Sequence, residues 1–295
     1  MAGDRLLASD LAVLAPGALH PDAPQVDLRL ARSPDGATYL ARQRVGYPFH
    51  LGRSLFIAGD PEGMPTLYVQ SCSGGMFEHD RLAWRVTAEP GCRAHLTSSA
   101  STIVHAMRGG EAVQEVAIDA QREVLLEYLP DPLVLFPGAR LRSRVTIVVH
   151  PGASVFACDA VVPHDPQGDG RSFDWIDSRV DLLAPDGTAL ARDRYRLSGA
   201  ALHAAIPGVT GEFRCLGSFL AATTQLAAPV LAAALREGVQ GVADTYASAS
   251  TLPHGQGAWV RVLARDASAL REVLRAAWYA ARATLLGTQP APRRK

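Results

Sequence analysis

Leu67–Met107 reads LYVQSCSGGMFEHDRLAWRVTAEPGCRAHLTSSASTIVHAM, and its patterning decides the fold class of the whole chain. Leu82, Trp84 and Val86 alternate with Ala83, Arg85 and Thr87, the period-two signature of a strand with one buried face. Gly74 and Gly75 stand at the entry to that strand, where positive φ or the close approach of another segment excludes a side chain. Pro90-Gly91 then turns the chain into a second strand, CRAHLTSS.

The same grammar extends outward. Strand signals run from Val26 to about Leu197, punctuated by turns at short intervals, an all-β pattern. Pro34-Asp35-Gly36 and Pro185-Asp186-Gly187 each separate two strand-like segments and predict hairpins. Pro90-Gly91, Pro137-Gly138 and Pro151-Gly152 each precede a strand, which predicts strand pairs stacked in succession. In LRSRVTIVV, Leu141, Val145, Ile147 and Val149 share one face, with Ser143 its single polar member.

Helical periodicity appears late. Asp266 or Ser268 can cap a helix carrying Leu270, Val273, Leu274, Ala277, Trp278, Ala281 and Leu285 on one stripe, and Gly287 stops it. A second helix is expected from about Leu226 to Arg236, with Pro229 near its first turn and Gly238 closing it. AWVRVLAR lies between them as a strand. The chain reads as a single domain over 1–295, with 1–25 and 288–295 poorly ordered.

Composition narrows the function. Of 295 residues 48% are apolar, enough for a continuous core, and 29 basic residues balance 29 acidic ones. Without net charge there is no overall field to draw in nucleic acid or an anionic membrane. The start lacks a charged segment followed by a clean hydrophobic stretch, and the longest apolar run is about half a bilayer span. A cytoplasmic protein is expected. The four cysteines, Cys72, Cys92, Cys158 and Cys215, are widely spaced, which favours reduced thiols. Lys295 is the only lysine, so no internal lysine can serve a phosphate loop or a pyridoxal Schiff base.

No constellation of a known catalyst stands out. Ser71-Cys72-Ser73-Gly74-Gly75 lacks the first glycine of a nucleophile elbow. Cys72 with His79 or His105 would form a thiolate pair only if the fold brought them together. Cys92 and His95, three apart on a strand, point to opposite faces and cannot readily share a zinc ion. Nine histidines are scattered without a tract, which argues against a permanent metal centre. A transient path remains open, because sparse carboxylates, thiols and imidazoles can pass a divalent ion along a wetted passage. Carboxylates cluster at Glu78 and Asp80 and at Glu127 and Asp131, where surface acids or turn caps are the plain reading.

In this order and spacing, SGGMFEHDRL, EPGCRAHLTSSASTIVHAM, LEYLPDPLVLFPGARLRSRVTIVVHPGASVFACDAVVP, SRVDLLAPDGTALARDRYRL and WVRVLARDASALREVLRAAW resemble the urease accessory protein UreD (UreH) family. The similarity spans about Arg44 to Leu286. It implies a mainly β fold, stacked sheets in a helical array, with one or two helices near the C-terminus. It also implies a non-enzymatic maturation factor that binds apo-urease and, with UreF and the GTPase UreG, supports nickel delivery to the urease active site. Part of the UreF contact is implied to lie in the C-terminal region.

Residue by residue, Ser73, Gly74, Gly75 and Asp80 fall in the family's glycine motif, with His79 where a glycine usually stands. Glu127, Pro130 and Asp131 match its Glu-Tyr-Leu-Pro-Asp stretch. Gly170 and Phe173 fit a later segment, but Arg171 falls where an acid is expected, and Ile103 stands near the place of a frequent lysine. A transient nickel path along Glu78, Asp80, Glu127 and Asp131 is the resulting site expectation, with no cofactor bound permanently. The alternative is a thiol or carboxylate hydrolase using Cys72 or Glu78.

Overall fold

The computed structural model describes residues 24–293. In chain order it forms β1 (Val26–Arg32), β2 (Thr38–Val45), β3 (Phe49–Leu51), β4 (Leu55–Phe56), β5 (Pro65–Ser71), β6 (Arg81–Ala88), β7 (Arg93–Ser98), β8 (Thr102–Val104) and β9 (Ala112–Ala120). There follow β10 (Leu125–Tyr128), β11 (Leu133–Leu135), β12 (Arg140–Val149), β13 (Ser154–Pro163), β14 (Trp175–Leu183) and β15 (Ala189–Leu197). The C-terminal third adds α1 (Gly199–His203), β16 (Cys215–Thr223), α2 (Ala228–Val239), β17 (Thr245–Thr251), β18 (Gly257–Ala264) and α3 (Ala267–Leu286).

The strands build two sheets, and the chain alternates between them. One sheet runs β15-β14-β12-β9-β6-β1-β2, the other β17-β18-β16-β13-β10-β7-β5-β3. β1, β6, β9, β12 and β14 pair in parallel in the first, and β5, β7, β10 and β13 in the second. The Pro-Gly turns therefore do not close hairpins. Pro90-Gly91 carries the chain from β6 across to β7, and Pro151-Gly152 from β12 across to β13. The result is β-solenoid-like, which corrects the expected helical array of stacked sheets. Both Pro-Asp-Gly turns do form antiparallel hairpins, β1–β2 and β14–β15, and these end the parallel stack of the first sheet. Their outer strands, β2 and β15, are largely exposed and rich in arginine, which blunts the sheet edges.

Apolar residues at period two fill the space between the sheets, as around Leu28, Val86, Ile118, Ile147 and Leu182. A second core lies on the outer face of the second sheet beneath α2 and α3. Asp266 caps α3 by accepting the N–H groups of Ser268 and Ala269, and Gly287, at φ 72°, ends it as expected. Leu270, Val273, Leu274, Ala277, Trp278 and Ala281 are buried, each large side chain contributing about 1.5–3 kcal/mol. Gly238 does not close α2, which runs to Val239. A Cβ on Gly238 would sit 2.6 Å from that of Ala280, so this glycine lets α2 lie close against α3.

The termini are held by side-chain contacts where they are described. Residues 1–23 lie outside the described residues, but Gln25 is held, its amide contacting Ala83 N–H and Arg81 C=O. At the other end the tail is packed rather than frayed as far as Arg293, which pairs with Asp60 at 2.6 Å. No helix among the described residues is long and apolar enough to cross a membrane.

Candidate functional site

The second sheet has a break in its middle. β7 and β8 are separated by Ser99–Ser101, and β10 and β11 by Leu129–Pro132, while β13 runs straight past and pairs with both halves. Pro130 and Pro132 carry no N–H, so the ladder cannot continue there. Local bonds tie the gap together: Asp131 N–H donates to Ser98 Oγ at 2.8 Å, Ser98 Oγ donates to Asp131 Oδ2 at 3.2 Å, and Cys158 Sγ donates to Pro130 C=O at 3.4 Å. On the outer side lies a cleft of about 560 Å³ under α3, and on the inner side a smaller cavity of about 50 Å³ between the sheets. Ala100, Pro130, Asp131 and Cys158 line both.

The inner cavity is polar for a reason visible in the register. Gln114, Ser143, Ser178 and Tyr195 lie side by side across β9, β12, β14 and β15. On one side of this row Ala112, Leu141 and Ile176 form an apolar row, and on the other Val116, Val145 and Val180 form another. One coil position after another thus carries an amide or hydroxyl where the stack would otherwise be hydrocarbon. Opposite, Asp159 of β13 accepts hydrogen bonds from Ser178 Oγ at 2.6 Å and Tyr195 Oη at 3.1 Å. Burial pushes the pKa of Asp159 up, and the two hydroxyls offset that only in part.

The four acids expected along a metal route separate. Asp131 lines both cavities. Glu127, one residue before the inward-facing Tyr128, points the other way, toward α3. There Arg282 Nε and a terminal nitrogen donate to its two oxygens at 2.7 Å each, Trp278 Nε1 donates at 2.8 Å, and His95 Nδ1 lies at 2.7 Å. Burial alone would raise the pKa of Glu127, but the bonds from His95 and Arg282 outweigh it and hold it at about 2. Burial lowers the pKa of His95, so its neutral imidazole donates from Nδ1. With both carboxylate oxygens engaged, Glu127 joins α3 to the solenoid and lines neither cavity.

Glu78 and Asp80 are turn caps. Glu78 Oε1 accepts the N–H groups of Arg108, Gly109 and Gly110, and the Gly110 bond is the main cause of a pKa near 2. Asp80 accepts the N–H of Phe77 at 2.7 Å. The glycines of this motif act through the backbone. Gly75 has φ 141°, and a Cβ there would lie 2.4 Å from Ile103 O, because Met76 pairs with Val104 of β8. Ser73 Oγ donates to Gly75 C=O at 2.7 Å. His79 has φ 71°, the left-handed conformation that glycine adopts without strain, which is the physical meaning of the glycine expected at that place.

Other sequence candidates resolve simply. Arg171 is exposed, pairs with Asp169 and lines neither cavity. Cys92 faces the core between the sheets and burial pushes its thiol up to about 11, whereas His95 faces α3, so the two do point apart. His105 contacts Gly74 C=O at 3.1 Å and stacks on Phe77 at 4.5 Å between ring centres. Among the described residues no three His, Cys, Asp or Glu side chains gather closely enough to hold a metal ion. Asp159 and the Gln114–Ser143–Ser178 row were not singled out from sequence as site residues; Ser143 interrupting an apolar face was their one visible trace.

The sequence profile of the UreD urease accessory protein family matches residues 22–295. The chain belongs to the UreD family. Among its relatives, urease accessory protein UreD 1 of Pseudomonas syringae pv. syringae (strain B728a) is 42% identical over 268 residues, covering 91% of this chain and 94% of the relative. UreD 1 of Methylorubrum extorquens (strain PA1) is 36% identical over 88% of this chain and 87% of its own length. UreD 2 of Streptomyces griseus is 31% identical over 87% and 88%. The family gives this chain a role in urease maturation, and UreD proteins are maturation factors, not enzymes. That removes the hydrolase alternative built on Cys72 or Glu78.

Proposed function

We propose that this chain supports urease maturation in the cytoplasm by binding apo-urease together with UreF and the GTPase UreG, and that nickel crosses it through the passage between cleft and interior. One observation carries the passage: Asp131 stands in the wall of both cavities, beside Cys158, with Asp159 further along the inner one. A carboxylate, a thiol and a second carboxylate are suitable donors for a borderline divalent ion, and donors spaced along a path favour transit over retention. The inner cavity has room for a few waters, so the moving ion exchanges part of its hydration shell for Asp131, Asp159, Gln114 and Ser143. GTP hydrolysis belongs to UreG in this scheme, because the chain's single lysine is terminal.

The test is urease activity and nickel per active site in cells lacking the gene, complemented with wild type or Asp131→Ala. Wild type should restore both, whereas Asp131→Ala should still co-purify with UreF and urease but leave the enzyme under-loaded. Full loading by Asp131→Ala removes the passage. Unchanged activity and nickel on deletion alone removes the role itself.

A further inference from the structure

The cleft under α3 carries a charge opposite to that of the interior. Arg271 and Arg275, one helical turn apart on α3, and Arg293 of the tail line it, and Asp131 is the single carboxylate among its lining residues. Arg271 donates to Ser101 Oγ at 3.2 Å, and Arg275 has no partner among the described residues. Arg293 is more constrained. Its side chain is only 6% exposed, its terminal nitrogens hold Asp60 and Ala291 C=O, and its buried Nε has no hydrogen-bond partner.

Between the guanidinium groups the walls are apolar, formed by Leu129, Leu274, Trp278, Tyr279 and Pro292. We propose that this cleft is a docking socket for a segment of a partner protein in which carboxylates alternate with apolar side chains. Charge complementarity selects the carboxylates, and the walls select what lies between them. A cleft of about 560 Å³ falls in the ~300–1,000 Å³ range that encloses a drug-sized ligand, so several side chains fit, whereas a lone phosphate leaves most of the wall wet. Docking does not depend on metal transit. If the passage proposed above operates, the same segment also cancels the positive potential that would repel a cation approaching Asp131.

The experiment titrates the purified full-length chain into a fluorescein-labelled peptide alternating glutamate and leucine and follows anisotropy. Saturable binding is expected, falling on the order of tenfold when glutamine replaces glutamate in the peptide. Arg271→Glu with Arg275→Glu should lower affinity by a similar factor, and Arg275→Gln alone by less in the same direction. Both positions are exposed on α3, and a circular dichroism melt checks that the variants stay folded. Equal affinity for the glutamine peptide, unchanged affinity in the doubly reversed variant, or displacement by inorganic phosphate beyond that by chloride at equal ionic strength overturns the proposal.

Discussion

Arg282 grips both oxygens of Glu127, 155 residues earlier in the chain, at 2.7 Å on each, and neither side chain has any exposed surface. The guanidinium continues to Asp60 at 3.1 Å, and Asp60 holds Arg293. One buried network therefore fastens the last helix and the tail to the second sheet. Such a pair adds little over hydrocarbon of the same shape, but breaking one side leaves a charge stranded.

Arg282→Met should accordingly destabilise the protein by about 3–5 kcal/mol, and adding Glu127→Gln should recover a large part of that loss. Urea unfolding of the two single variants and the double variant measures the coupling. Purely additive effects would mean the fork is not what holds α3 down.

Acid should release the same contact. Glu127 is held at about 2 in the folded chain against an ordinary value of 4.5, so its contribution is complete above pH 4.5 and disappears as pH falls toward 2. The shift corresponds to a few kcal/mol. Stability followed between pH 6 and pH 2 should fall less steeply in Glu127→Gln than in wild type.

Ser143→Val should separate stability from function. Valine completes the apolar face shared by Leu141, Val145 and Ile147, so the melting temperature should hold or rise. Nickel loading of co-expressed urease should drop, because the interior row loses a hydroxyl at its centre. Unimpaired loading would leave the polar row with no part in metal transit.

His79→Gly relieves a left-handed backbone and should stabilise the chain by about 1 kcal/mol. The readout is the urea midpoint at constant m-value. A lower midpoint would show that the imidazole beside the Glu78 cap contributes more than the strain removes.

Much of this architecture was legible in the sequence. Alternation around Trp84 gave β6 its buried face, both Pro-Asp-Gly turns gave their hairpins, and the Asp266 cap and Gly287 stop bounded α3. β17 is unmarked in the sequence because TYASAST carries little apolar alternation and owes its state to pairing with β18, whereas β16, CLGSFLAAT, is a nearly continuous apolar run without a period of its own. At the site, Asp131 was found through Leu-Pro-Asp-Pro, and Asp159 was not, since a lone acid in SVFACDAVV gives no hint of what faces it.

Local chemistry set the strands, the turns and the caps, and homology carried by the motifs set the family, because each depends on residues near one another in the chain. Which sheet each Pro-Gly turn leads to, the row of Gln114, Ser143 and Ser178, and the partnership of Arg282 with Glu127 were decided only in three dimensions. The reason is that parallel coils stack residues about thirty positions apart at one level, so a single serine per strand is unremarkable in sequence and becomes a continuous polar line only when the coils are laid side by side.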